Sequence, residues 1–132
     1  SYKCGDWTIC VNSIEFTKRY EYSQFLYAEA EEGQQYLRMN LSITNNGTGN
    51  REFLPYLDLG SGVSAKLKYK DEYTYSLVFN YFEDELYGKS VPALATQTGY
   101  IQFKVPDTVA EDAANAKVIF KDGNDSVTYM LG

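Results

Sequence analysis

Residues 36–46 constrain this chain more than any other stretch. Leu37, Met39, Leu41 and Ile43 alternate with Arg38, Asn40, Ser42 and Thr44. A period of two sends successive side chains to opposite faces of a strand, so the apolar set is expected in a core and the polar set toward water. Gly33 precedes the run, and Asn45-Asn46-Gly47 ends it with residues that tolerate a left-handed backbone. The run reads as a central strand of an antiparallel sandwich.

The other segments are placed around it. Trp7, Ile9 and Val11 alternate with Thr8, Cys10 and Asn12, which predicts a strand over 6–14. Gly5-Asp6 suits a tight turn from a short segment at 2–4. Such a turn sets Cys4 opposite Trp7 and leaves Cys10 about 10 Å further along, beyond the roughly 7 Å reach of a disulfide. A Cys4–Cys10 bridge would need a wider loop through 5–9, although two close cysteines in an exported protein favour pairing. Both the bridge and two free thiols stay open at this point.

Residues 16–35 carry the least pattern. Lys18-Arg19-Tyr20-Glu21-Tyr22 reads as an exposed extended piece, and Ala28-Glu29-Ala30-Glu31-Glu32 holds helix formers but little length. The spacing of Glu29, Glu31 and Glu32 matches no coordination loop, so a solvated acidic loop is expected. Further on, strands are expected over 52–59, 63–69, 73–81 and 96–105. Pro55 puts the first of these at an edge or a bulge, because it cannot donate to a ladder. Gly60-Ser61-Gly62 and Lys70-Asp71-Glu72 read as turns, and 82–92 as an irregular crossover between sheets. Pro106-Asp107 opens a short helix over 107–114. Strands at 116–121 and 127–131 flank Asp122-Gly123-Asn124-Asp125, a hairpin signal. The sum is one all-β domain over 1–132, a two-sheet antiparallel sandwich of about seven to eight strands with one short helix.

Composition removes several functions. The chain has no His, which excludes Ser-His-Asp and Cys-His nucleophilic arrangements and the common His-containing zinc sites. Its net charge is −6, and no Lys/Arg cluster stands out along it, so nucleic acid is rejected as a partner. No apolar run reaches the roughly 20 residues of a membrane span. Glu83-Asp84-Glu85 reads as a solvated loop, since a hydrolytic pair needs two carboxyls facing across a cleft. Asp122-Gly123-Asn124-Asp125 lacks the Gly position and the bidentate Glu of a calcium loop. No cofactor or metal is expected.

Four runs together resemble a known group: Trp-Thr-Ile-Cys-Val-Asn-Ser-Ile at 7–14, Gln-Tyr-Leu-Arg-Met-Asn-Leu-Ser-Ile-Thr-Asn-Asn at 35–46, Phe-Leu-Pro-Tyr-Leu-Asp-Leu at 53–59 and Thr-Gly-Tyr-Ile-Gln-Phe-Lys-Val-Pro at 98–106. Their order is similar to that of bacterial exported or lipoprotein domains of unknown function sharing an immunoglobulin-like fold with a mycobacterial secreted immunoprotective antigen. The chain departs from that pattern between 60 and 97, where a Tyr-rich insert replaces a Gly-containing turn and a Pro-Gly. The resemblance implies an immunoglobulin-like sandwich, export, and attachment to the cell surface through an N-terminal lipid anchor outside this sequence. It supplies no catalytic residues.

Tyrosine supplies the remaining signal, with thirteen in the chain. Tyr73, Tyr75, Leu77 and Phe79 share one strand face by parity, so Tyr73 and Tyr75 either extend the core or form a contact surface. Tyr81, Phe82 and Tyr87 fall in the crossover, where exposure is expected. Exposed tyrosines give amphipathic contact area at low entropic cost. Tyr73, Tyr75, Tyr81, Phe82 and Tyr87 are therefore the candidate binding patch. The expected function is non-catalytic: an exported module contacting a protein or glycan at the bacterial surface, or a carbohydrate-binding module with a tyrosine platform.

Overall fold

The structure is a computed structural model and describes residues 1–55 and 62–132. It is the expected all-β antiparallel sandwich with one short helix. Along the chain run β1 (Tyr2–Cys4), β2 (Trp7–Thr17), β3 (Arg19–Glu21), β4 (Tyr27–Glu29), β5 (Gln34–Asn45), β6 (Arg51–Glu52), β7 (Ser64–Tyr69), β8 (Tyr73–Val78), β9 (Ser90–Val91) and β10 (Thr96–Pro106). Helix α1 (Asp107–Glu111) and a 3-10 turn (Ala113–Asn115) precede β11 (Ala116–Asp122) and β12 (Asp125–Met130). Eight strands join in the order β1-β2-β5-β10-β8-β7-β11-β12, with β3-β4 and β6-β9 as separate ribbons. The sheet curls until its ends meet. β1 lies against β11 and β12, the Gly5 N–H donates to Asp125 Oδ2 at 2.9 Å, and the rings of Tyr2 and Tyr129 meet edge-on.

β5 is central, paired with β2 on one side and β10 on the other along most of its length. Leu37, Met39, Leu41 and Ile43 are all fully buried, with Trp7, Phe53, Phe103 and Phe120 beside them. β2 runs past its expected end because of a bulge. The register slips between Val11 and Ser13, so odd-numbered Trp7 and Ile9 and even-numbered Ile14 and Phe16 pack on the same core. The extra residue, Asn12, turns its amide to Asn40 and Ser42 on the outer face.

Several expectations change. The stretch containing Ala28-Glu29-Ala30 is strand, not a helical fragment, because β4 pairs with β3 and sets Ala28 with Tyr20 and Tyr36 in a small second core. The strand expected over 52–59 is β6 as far as Glu52, and Pro55 lies just beyond it; the part at 56–59, and most of the turn at 60–62, lies outside the described residues. Cys4 and Cys10 are not bridged. Gly5-Asp6 is the two-residue turn, Cys4 pairs with Trp7, and Cys4 enters the core while Cys10 stands on the other face of β2. Arg38 was expected in water but is 7% exposed. The lysines, scattered in sequence, are not scattered in space: Lys66, Lys68, Lys117 and Lys121 share the outward face of two adjacent strands.

Candidate binding site

The loop joining β8 to β9 is built on one carboxylate. Glu85 is 3% exposed, and its oxygens accept the backbone N–H groups of Asn80 (3.1 Å), Tyr81 (3.2 Å) and Phe82 (3.3 Å). Three successive donors converge because Tyr81 adopts φ +61°, a left-handed conformation that costs a bulky residue about 1–3 kcal/mol. The solvated acidic loop read from sequence is thus resolved into three roles. Glu83 is exposed, Asp84 pairs with Arg38 at 3.5 Å, and Glu85 is the buried anchor. A charged acceptor satisfied by several donors tolerates burial that an isolated carboxylate would not.

The loop is then fastened to β10. The Tyr100 N–H donates to Asp84 O at 2.8 Å, and the Leu86 N–H donates to Tyr100 O at 2.9 Å. Gly99 permits this approach, since a Cβ there would stand 2.7 Å from Asp84 O. Below it the Arg38 guanidinium lies between the rings of Tyr20 and Tyr100, 3.8 and 3.9 Å from their centroids. Both faces of the planar cation are thereby covered. Asn80 donates its side-chain amide to the Tyr20 hydroxyl. Burial pushes Tyr20 up to about 12.

On this frame the five candidate aromatics divide into two groups at opposite ends of β8. Tyr81 is 73% exposed, and its ring meets Tyr87 at 66°, while Tyr87 stacks on Phe79 with centroids 3.7 Å apart. An open hollow of about 200 Å³ lies beside them, reaching Glu83 and Lys89. Phe82 turns elsewhere: it stacks on Tyr22 at 5.1 Å and packs against Tyr20.

Tyr73 and Tyr75 line a larger cleft where β8 parts from β10. Only Val78 and Leu77 pair with β10, opposite Gln102 and Phe103. From there toward Tyr73, β7 is the one ladder partner of β8 among the described residues. β10 ends at Pro106, which has no N–H to give, and turns into α1. The opening, about 440 Å³, is lined by Tyr69, Tyr73, Tyr75, Pro106, Thr108 and Val109, among others. Tyr73 is 52% exposed at its mouth. At its floor Tyr69 donates its hydroxyl to Asp112 at 2.6 Å, which pushes Tyr69 up to about 12 and holds the Asp112 carboxyl below its ordinary value.

Sequence reading set Phe79 on the strand face of Tyr73 and Tyr75 without including it in the patch, and passed over the β3–β4 tip, where Phe25 and Leu26 are 83% and 49% exposed. Parity along 73–81 signals Phe79, but nothing in Ser23-Gln24-Phe25-Leu26 is periodic. Among the described residues no His, Cys, Asp and Glu side chains gather in a group that could hold a metal, and no helix is long and apolar enough to cross a membrane.

No family profile matches the chain, and no curated protein does. Solved structures do. An uncharacterized β-sandwich protein of Clostridium difficile is similar over 99% of this chain and 89% of its own, at 23% identity and a TM-score of 0.67. The yjhA protein of Bacillus subtilis matches over 97% and 92%, at 17% identity and a TM-score of 0.64. A putative lipoprotein of Bacillus subtilis matches 96% of this chain at 17% identity and a TM-score of 0.61, but the match spans 37% of that protein. The likeness is one of fold, an antiparallel β-sandwich.

Proposed function

We propose that this chain is a non-catalytic binding module of an exported bacterial protein, working at the cell surface, and that it holds a protein partner in the cleft between β8 and β10. The cleft itself carries the reading. It combines aromatic walls with two strand borders, Tyr73 to Ser76 and Lys104 to Pro106, that face each other without continuing their ladder. Extended peptides use such borders, taking backbone hydrogen bonds from the strand and side-chain pockets from alternate residues. Its volume falls within the roughly 300–1,000 Å³ of ordinary binding pockets.

The non-catalytic part is supported by the acids of the β8–β9 loop, which are committed to the backbone or to Arg38 or stand in solvent. The surface location draws on the fold shared with the Bacillus lipoprotein; kinship with the mycobacterial antigen group rests on the four sequence runs alone. Nucleic acid is not the partner in this reading.

A carbohydrate site at Tyr81 is the second reading, favoured by the exposure of that ring beside Glu83 and Lys89. Because Tyr81 and Tyr87 meet at 66°, a sugar would lie on one ring and not on a platform of several.

One paired experiment separates these. A displayed peptide library and a glycan array are screened with the wild-type chain, Y73A/Y75A and Y81A. Convergent peptides lost in Y73A/Y75A support the cleft, and glycans lost in Y81A support the second reading. Hits retained by both variants, or no hits, overturn the assignment.

A further inference from the structure

β7 and β11 are neighbouring antiparallel strands inside the main sheet, and their inward residues Leu67, Tyr69, Val118 and Phe120 are buried. The alternate positions face out and carry Lys66 and Lys68 on β7, and Lys117, Ile119 and Lys121 on β11, with Ile119 across from Lys66. Lys68 stands directly across from Lys117. The flanking outward residues, Thr74 and Ser76 on β8 and Ser126, Thr128 and Met130 on β12, are uncharged. Asp71, in the turn after β7, meets Lys117 Nζ at 2.7 Å, and exposed Glu72 follows it. Lys66, Lys68 and Lys121 have no ion-pair partner among the described residues. Asp122, next along β11, falls on the inward side of the alternation.

Like charges opposite one another destabilise a sheet. Lysines often guard a sheet edge against aggregation, but β7 and β11 are each paired on both sides and have no edge to guard. Beyond the Lys117–Asp71 ion pair, folding gains no ionic contact for these lysines among the described residues, whereas an anionic ligand would give Lys66, Lys68 and Lys121 a partner. We propose that the outward face of β7 and β11 binds a linear, base-free phosphodiester polyanion lying along the strands. Successive outward lysines on β7 are about 6.7 Å apart, a spacing suited to consecutive charges on an extended chain. The strip is two strands wide, enough for one such chain.

Other polyanions fit less well. Every cation on the strip is Lys and none is Arg, so the fork that pairs with planar carboxylates is missing, while ammonium groups serve phosphates as point charges. Among the described residues no aromatic side chain faces outward there to stack bases, which single-stranded nucleic acid requires. A bilayer would bring the whole molecule against an anionic plane, and setting the four lysines aside leaves a charge of −10 from the total of −6.

The test is titration of the full chain with a synthetic glycerol phosphate oligomer at several salt concentrations. Log affinity should fall with log salt, with a slope of about −0.7 for each lysine engaged if the oligomer behaves as a single strand. K66Q/K68Q/K121Q should bind at least tenfold more weakly with a shallower slope, and melt no lower than wild type because it loses like-charge repulsion. K3Q/K18Q, which removes charge elsewhere, and Y73A/Y75A should bind as wild type, so failure here is distinct from failure of the cleft. No binding at low salt, or equal weakening by K3Q/K18Q, overturns the proposal. So does equal or tighter binding of oligothymidylate, polyglutamate or phosphatidylglycerol vesicles.

Discussion

Glu85→Ala tests the frame on which the candidate site stands. The substitution removes the acceptor of three backbone N–H groups and takes from Tyr81 the carboxylate that holds its left-handed conformation. A buried donor deprived of its partner costs about 1–3 kcal/mol. The loop is half open, so water reaches some of the three, and the net loss should be about 3–5 kcal/mol, against a total stability of about 5–15 for a domain. At roughly 4 °C per kcal/mol for a chain of this length, the melting temperature should drop by about 10–20 °C. Circular dichroism melts of wild type, E85A, E85Q and E83Q provide the series. E85Q keeps one carbonyl acceptor but turns an amide NH₂ toward N–H donors, so it should fall between wild type and E85A. Glu83 is exposed, and E83Q should change stability by less than about 0.5 kcal/mol. If E85A melts within about 2 °C of wild type, the carboxylate does not organise this loop and the reasoning fails.

Gly99→Ala should cost about 1–3 kcal/mol by forcing Asp84 O and the Leu86 side chain away from β10, read as a lower denaturation midpoint; an unchanged midpoint would mean the loop is not seated on Gly99. Tyr20 and Tyr69 are held up to about 12 against an ordinary value of 10, so the folded chain keeps these protons longer than the unfolded one. That stability is fully present below pH 10 and is lost as pH rises toward 12; Y20F and Y69F should each show a shallower alkaline decline in melting temperature, and parallel curves would contradict the assignment. Cys4 is buried and its thiol pushed up by that burial and by Asp122 and Asp125, whereas Cys10 is partly open. Iodoacetamide should therefore modify Cys10 in the native protein and Cys4 only after unfolding, and a single thiol-blocked disulfide species by mass spectrometry would refute the free-thiol geometry.

The alternations around β5 were legible because a period-two pattern has one low-energy solution, a strand with one dry face. The turns at Gly5-Asp6 and Gly123-Asn124 were legible because few residues accept their backbone angles. The bulge at Asn12 was not, although the change from odd-numbered Val11 to even-numbered Ile14 was its trace. Of the β3–β4 ribbon only the extended piece around Tyr20 was legible, because three-residue strands hold too few residues for a period, and only pairing with β4 buries Tyr20. Of the candidate patch, sequence identified the tyrosines as a class. It could not show that Tyr73 and Tyr75 line one cleft while Tyr81 and Tyr87 crown another, because the division depends on where β8 leaves β10.

Sequence alone thus determined the all-β class, most of the main strands, and the absence of histidine chemistry. These follow from local periodicity, turn geometry and composition, none of which needs a distant partner. Tertiary structure alone decided that Arg38 is dry between two rings, that Glu85 is an anchor and its neighbour Glu83 is not, and that four separated lysines make one face. The first and last depend on register between strands far apart in the chain, which the whole folded sheet sets; the second depends on a left-handed turn at Tyr81 that no local pattern signals.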